Sequence, residues 1–409
     1  MIKLNITGII TEYNPLHKGH LYHIKKTREA TNCDAIICIM SGNYVQRGIP
    51  AIIDKWNRTK MALLNGVDLV IELPVVYSLS SAEFFSFGAV SLLNNLGIVN
   101  NLCFGSEIGS SDILLKIAEI LYTEPEVYKE SLKRNLKLGL PFHSARRIAL
   151  KEYIASIENF NSPENIDVIL STSNNILGIE YCKSIVKLNS SIKPYTIKRE
   201  GSDYNSGELS DTFSSATAIR MYLKGGSNFS ELKPHLPENT FNLIRDLVKS
   251  GYNFTYEDYM YPYIKYKYFE RGYDINNIPD VSEGLDNKIR KALDNSSSIH
   301  NVIELVKSKR YTFTRISRIL CQYYIGFENY QTGALRTSEA PYGRILGFNK
   351  TGAKVLRHIK SNASIPIYNK IPRQQNEHLS LDILSTQKYS VINSSVKHND
   401  DFLISPIII

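Results

Sequence analysis

Four short apolar runs separated by helical stretches constrain this chain more than any other feature. They are Ile6-Thr-Gly-Ile-Ile10, Asp34-Ala-Ile-Ile-Cys-Ile-Met40, Asp68-Leu-Val-Ile-Glu-Leu73 and Asn101-Leu-Cys-Phe-Gly105. Helical patterns fall between them, over about 18–31, 54–65 and 80–96. Continuous apolar strands alternating with helices predict an α/β fold, a Rossmann-like parallel sheet with helices on both faces. Right-handed crossovers then put every strand's C-terminal end on one edge, where ligands bind. A helix over Asn174–Ile185 and a strand over Tyr195–Arg199 continue the pattern, and the polar stretch Glu200–Gly207 reads as a loop. The α/β domain is expected to end in the Pro-containing Lys233-Pro-His-Leu-Pro237, which divides the chain into 1–235 and a mainly helical 236–409.

Composition excludes several classes. With 43% hydrophobic and 22% charged residues, the chain is neither disordered nor fibrous. The five cysteines (Cys33, Cys38, Cys103, Cys182, Cys321) form no CxxC pair and no zinc spacing, so a disulfide framework is not expected. Cys38, Cys103 and Cys182 lie in apolar runs and read as core residues. No apolar stretch approaches the roughly 18 residues of a membrane span, and the expected location is the cytoplasm.

The chemistry concentrates in Gly8-Ile-Ile-Thr-Glu-Tyr-Asn-Pro-Leu-His-Lys-Gly-His20, where the first strand gives way to the first helix. His17 and His20 are spaced i, i+3 and share one side of the opening turn. Gly19 lets a phosphate approach the backbone. The helix N-terminus supplies free N–H groups and a positive dipole end. Together these suit a phosphate with developing charge, and the imidazoles can donate to it. His-x-x-His spacing also suits zinc, but no third ligand is evident, and no metal site is expected. A second signal is Ser214-Ser-Ala-Thr-Ala-Ile-Arg220, where Ser214 or Ser215 caps a helix and Thr217 and Arg220 face outer phosphates.

These two motifs resemble the HxGH and SSTxIR signatures of the nucleotidyltransferase superfamily. Five more segments narrow the resemblance: Met40-Ser-Gly-Asn-Tyr-Val-Gln-Arg-Gly48, Lys55-Trp-Asn-Arg-Thr-Lys-Met-Ala62, Gly66-Val-Asp-Leu-Val-Ile-Glu-Leu-Pro74, Phe104-Gly-Ser-Glu107 and Tyr342-Gly-Arg-Ile-Leu-Gly-Phe348. With Asn174-Asn-Ile-Leu-Gly178 they resemble the bacterial tRNA(Met) cytidine acetate ligase family over nearly the whole chain. The resemblance implies that ATP activates acetate as acetyl-adenylate, that the acetyl group passes to N4 of the wobble cytidine of elongator tRNA(Met), and that acetyl-CoA is not used. It places ATP on Ile10, Thr11, Glu12, Tyr13, Asn14, Pro15, Leu16, His17, Lys18, Gly19, His20, Leu21, Tyr22 and His23. Gly105, Asn174 or Asn175, and Arg199 match further nucleotide positions. Thr11, where an aliphatic residue is frequent, and Leu16-His-Lys18, where Phe-His-Asn is usual, depart from the pattern without touching the histidines. Magnesium is expected to ride on the ATP phosphates. A small-molecule adenylyltransferase shares the two motifs but is commonly a much shorter chain.

The loop after the second strand carries Ser41, Gln46 and Arg47, and Lys55 follows it. These could position acetate or phosphates, or simply form a polar loop. The net charge of +8 is local, because residues 301–370 hold twelve Lys and Arg against three Glu. Arg315, Arg318, Arg344 and Lys354 in this region are therefore expected to meet tRNA phosphates, with Tyr311, Tyr323 and Tyr324 stacking on a base.

Overall fold

The computed structural model describes residues 4–157, 166–199, 214–226 and 228–409. The loop expected over 200–207 lies outside them. Five parallel strands form the frame: β1 (Ile6–Thr11), β2 (Ala35–Ser41), β3 (Leu69–Leu73), β4 (Asn101–Ser106) and β5 (Lys193–Lys198). The helices between them include α1 (Lys18–Thr31), α2 (Lys55–Leu64), α3 (Ala82–Asn95) and α4 (Ser173–Lys187). β2 is buried along its whole length, as a strand covered on both faces must be. Its side chains alternate, with Ala35, Ile37 and Ile39 in one core and Ile36, Cys38 and Met40 in the other. At Gly8 a Cβ would lie 2.7 Å from the Leu93 methyl groups of α3, so any larger residue there would make that side chain shift.

The strand order is β3-β2-β1-β4-β5. The chain winds outward from β1 to β3, then crosses to β4 on the other side. This reversal opens a crevice beyond the C-terminal ends of β1 and β4, the place where such sheets bind ligands.

The sheet is mixed rather than wholly parallel. After α5 (Ala216–Lys224) and a helical stretch that includes α6 (Phe313–Ile325), the chain returns as β6 (Gly343–Phe348). β6 pairs antiparallel with β3, Glu72 facing Arg344. Beyond α7 (Lys350–Asn362), β7 (Ile367–Tyr368) adds to β6; beyond α8 (Glu377–Ile392), β8 (Ile407–Ile408) does the same. Residues on both sides of the division expected at 235 therefore share one sheet. They share one core as well, since Ile316, Ile319, Leu320 and Tyr389 belong to the same buried cluster as Ile37, Ile71 and Leu92. All five cysteines are free thiols. Among the described residues no helix is long and apolar enough to cross a membrane.

Candidate active site

β1 ends at Thr11, and the loop that follows delivers both histidines to the start of α1. His17 is the N-cap: its Nδ1 accepts the Gly19 N–H at 3.1 Å. His20 reaches back so that its Nδ1 accepts the His17 N–H at 3.2 Å. This reciprocal pair is a capping box built from imidazoles. The rings stack at 3.8 Å between centroids, and Tyr13 meets His20 edge-on at 5.0 Å. A ring nitrogen that accepts an N–H carries no proton, so each neutral imidazole holds its proton on Nε2. Burial, together with the charges of Arg199 and Arg220, pushes the His17 pKa down to about 3. Burial and the neighbouring His17 push His20 down as well. The two rings are neutral hydrogen-bond donors at pH 7, not cations.

The surrounding cleft encloses about 220 Å³. Of the expected nucleotide residues, Ile10, Thr11, Glu12, Tyr13, Asn14, His17, Gly19, His20, Tyr22, His23, Gly105, Asn174, Arg199, Ser214, Ser215, Thr217 and Arg220 line it. Gln46 and Arg47 line it too. Pro15, Leu16, Lys18 and Leu21 lie outside the lining: Leu16 is buried beneath it and Lys18 is exposed. Asn175 is consumed in packing, its Oδ1 accepting the Glu107 and Ile108 N–H groups at 3.0 and 3.2 Å. The Glu107 carboxylate in turn caps α4 by accepting the Asn175 N–H at 2.8 Å. That leaves Asn174 as the amide at the cleft.

The two motifs meet through the backbone. Ser215 caps α5 by accepting the Ala218 N–H at 3.1 Å. Arg220 on that helix donates to the Asn14 carbonyl at 2.8 Å and to Thr217 Oγ1 at 3.1 Å. His235 accepts the Lys18 N–H on its carbonyl and pairs its ring with Ser214 Oγ at 2.9 Å. His235 lies in the segment expected to end the α/β domain, and sequence reasoning missed this role for it.

It also missed Arg58, a fully buried guanidinium. Arg58 donates to the carbonyls of Ile53, Glu12, Ser41 and Gly42, tying together the loops after β1 and β2. Its signal was an arginine inside an otherwise packed helix that follows the Met40–Gly48 loop. The apolar wall of the cleft, formed by Phe85, Phe104, Leu177 and Tyr181, was also unforeseen.

A family model described as HIGH Nucleotidyl Transferase matches residues 4–401. A Clostridium novyi protein named tRNA(Met) cytidine acetate ligase is 56% identical over 99% of both chains. A Clostridium kluyveri protein of the same name is 53% identical over 99% of both. The chain belongs to the tRNA(Met) cytidine acetate ligase family of HIGH nucleotidyl transferases. Its fold matches Thermotoga maritima TmcAL at a TM-score of 0.89 and 34% identity, covering 99% of this chain and 100% of that one. A second TmcAL structure, bound with alpha-thio ATP, matches at a TM-score of 0.87 and 34% identity, with 99% of each chain covered.

Several residues expected to serve this ligase fold's substrates lie elsewhere. Lys55 is buried: its Nζ pairs with Glu72 at 2.7 Å and Asp401 at 2.8 Å. Arg344, expected at a tRNA surface, is buried in the same cluster, pairing with Asp401 at 2.8 Å and Glu72 at 3.1 Å. Both are corrections, because a guanidinium or ammonium surrounded by internal carboxylates is out of reach of a phosphate. Ser41 is fully buried at the end of β2. Arg318 is 8% exposed and donates to the Gln46 carbonyl at 3.5 Å. Arg315 donates to the Asp280 carbonyl at 2.7 Å. Tyr311, Tyr323 and Tyr324 are buried, so none of them offers a face to an exposed base. Lys354 is exposed on α7. None of Arg315, Arg318, Arg344 or Lys354 lines the cleft.

Proposed function

We propose that this chain joins acetate to tRNA(Met) at the expense of ATP. Acetate attacks the α-phosphorus of ATP, pyrophosphate leaves, and acetyl-adenylate remains; the acetyl group then passes to N4 of the wobble cytidine, giving N4-acetylcytidine and AMP. The observation that carries the reading is the stacked, neutral His17–His20 pair at the head of α1, in a chain 56% identical to a named ligase.

The His17 and His20 Nε2–H groups donate to phosphate oxygens as charge builds there, and free N–H groups of the first turn add to them. Neutral donors suit this task, since they stabilise the developing charge without surrendering a proton. Arg199 and Arg220 supply fixed positive charge beside the histidines. Acetate is already a competent nucleophile, so the first step needs positioning and charge stabilisation more than a base.

Magnesium would enter with the ATP phosphates. Among the described residues no group of three or more His, Cys, Asp or Glu is placed to hold a metal ion, and no step is assigned to one.

Recombinant protein incubated with ATP, acetate and tRNA(Met) is expected to yield N4-acetylcytidine, read by nucleoside mass spectrometry. Product formed from acetyl-CoA without ATP would overturn the reading. Pyrophosphate release onto a mononucleotide with no tRNA dependence would replace it with a small-molecule adenylyltransferase.

A further inference from the structure

We propose that Glu12 is the general base of the second step, taking the N4 proton as the acetyl group passes to cytidine. The inference rests on the ligase reading above and adds a residue to it.

Among the described residues no other carboxylate lines the cleft. Glu12 follows β1 directly, on the loop that leads to His17 and the first turn of α1. One of its oxygens, Oε1, accepts the Gln46 N–H at 2.8 Å. That bond sets the plane of the carboxylate and leaves the other oxygen for a second partner. The loop bearing Gln46 is itself held. Gly48 adopts φ +79°, and a Cβ there would lie 2.3 Å from the backbone nitrogen of Arg318. Ser317 Oγ donates to the Gly48 carbonyl at 3.0 Å. From the other side, Arg58 donates to the Glu12 carbonyl at 2.6 Å. Three elements thus fix a carboxylate in the lining of the cleft that holds the two histidines.

The chemistry supplies a task for that carboxylate. The exocyclic N4 amine is conjugated with the ring and is a poor nucleophile. As it adds to the acetyl carbonyl carbon, the nitrogen becomes acidic and must lose a proton. The N4–C bond forms, the C–O bond to the adenylate breaks, and its electron pair leaves with AMP. The N4 proton passes to the Glu12 carboxylate and from there to water. The two motif histidines cannot do this, because their Nδ1 atoms already accept backbone N–H groups and their Nε2 atoms are protonated. His23 is the rival: its Nε2 is buried and unpartnered, but burial lowers its pKa to about 4, which weakens it as a base. Burial acts on Glu12 in the opposite sense, raising it, while the Gln46 N–H bond and then the charges of Arg47, Arg220 and Arg58 hold the rise back. A base tuned upward from the carboxylate range is the better match for work near neutrality.

The first step releases no proton, so the two half-reactions separate the roles. The test uses the full chain with tRNA(Met), measuring acetate-dependent ATP–pyrophosphate exchange and single-turnover acetyl transfer. In E12Q, transfer is expected to fall roughly 10²–10⁴-fold, at least about tenfold more than exchange, which also falls because Glu12 lines the nucleotide cleft. Wild-type transfer is expected to rise with pH through the Glu12 titration, and E12Q to lack that limb. E12D keeps a carboxylate and is expected to transfer faster than E12Q. Thermal unfolding verifies that both variants are folded. Equal loss of exchange and transfer in E12Q, transfer at the wild-type rate, or the same selective loss in H23Q with E12Q unaffected would each overturn the assignment. Absence of acetate-dependent exchange in the wild type is a separate failure, which overturns the ligase reading and this assignment with it.

Discussion

Two buried polar regions stand at the C-terminal edge of the same sheet, and they are built on opposite plans. In the Lys55–Glu72–Arg344–Asp401 cluster, cations and carboxylates meet at 2.7–3.1 Å. Asp382 joins them, accepting the Val75 N–H at 2.6 Å and the Tyr342 hydroxyl. In the cleft, among the described residues, Asn14 Nδ2 and His23 Nε2 are buried without protein partners, and in the cluster Asp401 Oδ2 is in the same position. Buried polar atoms are ordinarily paired, because leaving one unmade costs about 1–3 kcal/mol. The contrast teaches that charge alone does not mark a site. The cluster spends its charges on joining α2, β3 and β6 to the C-terminal segment, whereas the polar atoms left over in the cleft belong to neutral groups.

The sharpest way to break this comparison is to remove one partner from each region. Lys55→Ala or Arg344→Ala leaves a buried carboxylate uncompensated and is expected to cost about 3–5 kcal/mol of stability. Denaturant unfolding would measure it; unchanged stability with lost tRNA binding would return Arg344 to the RNA surface. His20→Ala is expected to do the reverse. Exchange should drop by about 10²–10³-fold, as for loss of one preorganised donor, while stability falls only by a helix cap's share of about 0.5–2 kcal/mol. If His20→Ala unfolds the protein, the histidine pair is structural.

Stability against pH offers a third contrast, since the cleft histidines and Asp382 of the cluster act on it with opposite sign. His17 and His23 have pKa values depressed to about 3 and about 4. The unfolded chain therefore binds more protons than the native one below the ordinary value of 6.5, and the cleft's contribution is lost as pH falls from there. Burial and the charge of Glu72 push Asp382 up to about 7 from 3.8. The native state then holds the extra proton, and that contribution is lost as pH rises through about 7. Unfolding measured from pH 4 to 8 should show Asp382→Asn removing the loss that accrues as pH rises from 3.8 to about 7, and His23→Gln reducing the loss as pH falls below 6.5 toward about 4. Equal slopes in all three proteins would erase the distinction.

The smallest expected effect belongs to exposed Lys354. Lys354→Ala should leave stability within about 0.5 kcal/mol. If Lys354 meets a phosphate, the salt slope of tRNA affinity should fall by about 1; an unchanged slope would remove it from the RNA surface.

Much of the α/β half was legible because its signals are local. The β1–α1 junction, the i, i+3 histidines and the Ser215 cap depend on neighbours within a turn, so residue order alone places them. The Arg58 brace and the Asn174/Asn175 distinction were not legible, since each depends on which backbone groups the fold brings within reach. The charge surplus of residues 301–370 was real, but a count cannot reveal where the counter-charge sits. Arg344 finds Glu72 on a neighbouring strand and Asp401 near the end of the chain, while Arg318 turns inward beneath the Gln46 loop. Sequence alone thus determined the strand-to-helix edge that carries the histidines, because helix caps and strand runs are short-range physics. Only the tertiary structure decided which cations are free to meet a substrate, because pairing a buried charge is a long-range choice that desolvation imposes after the chain has closed on itself.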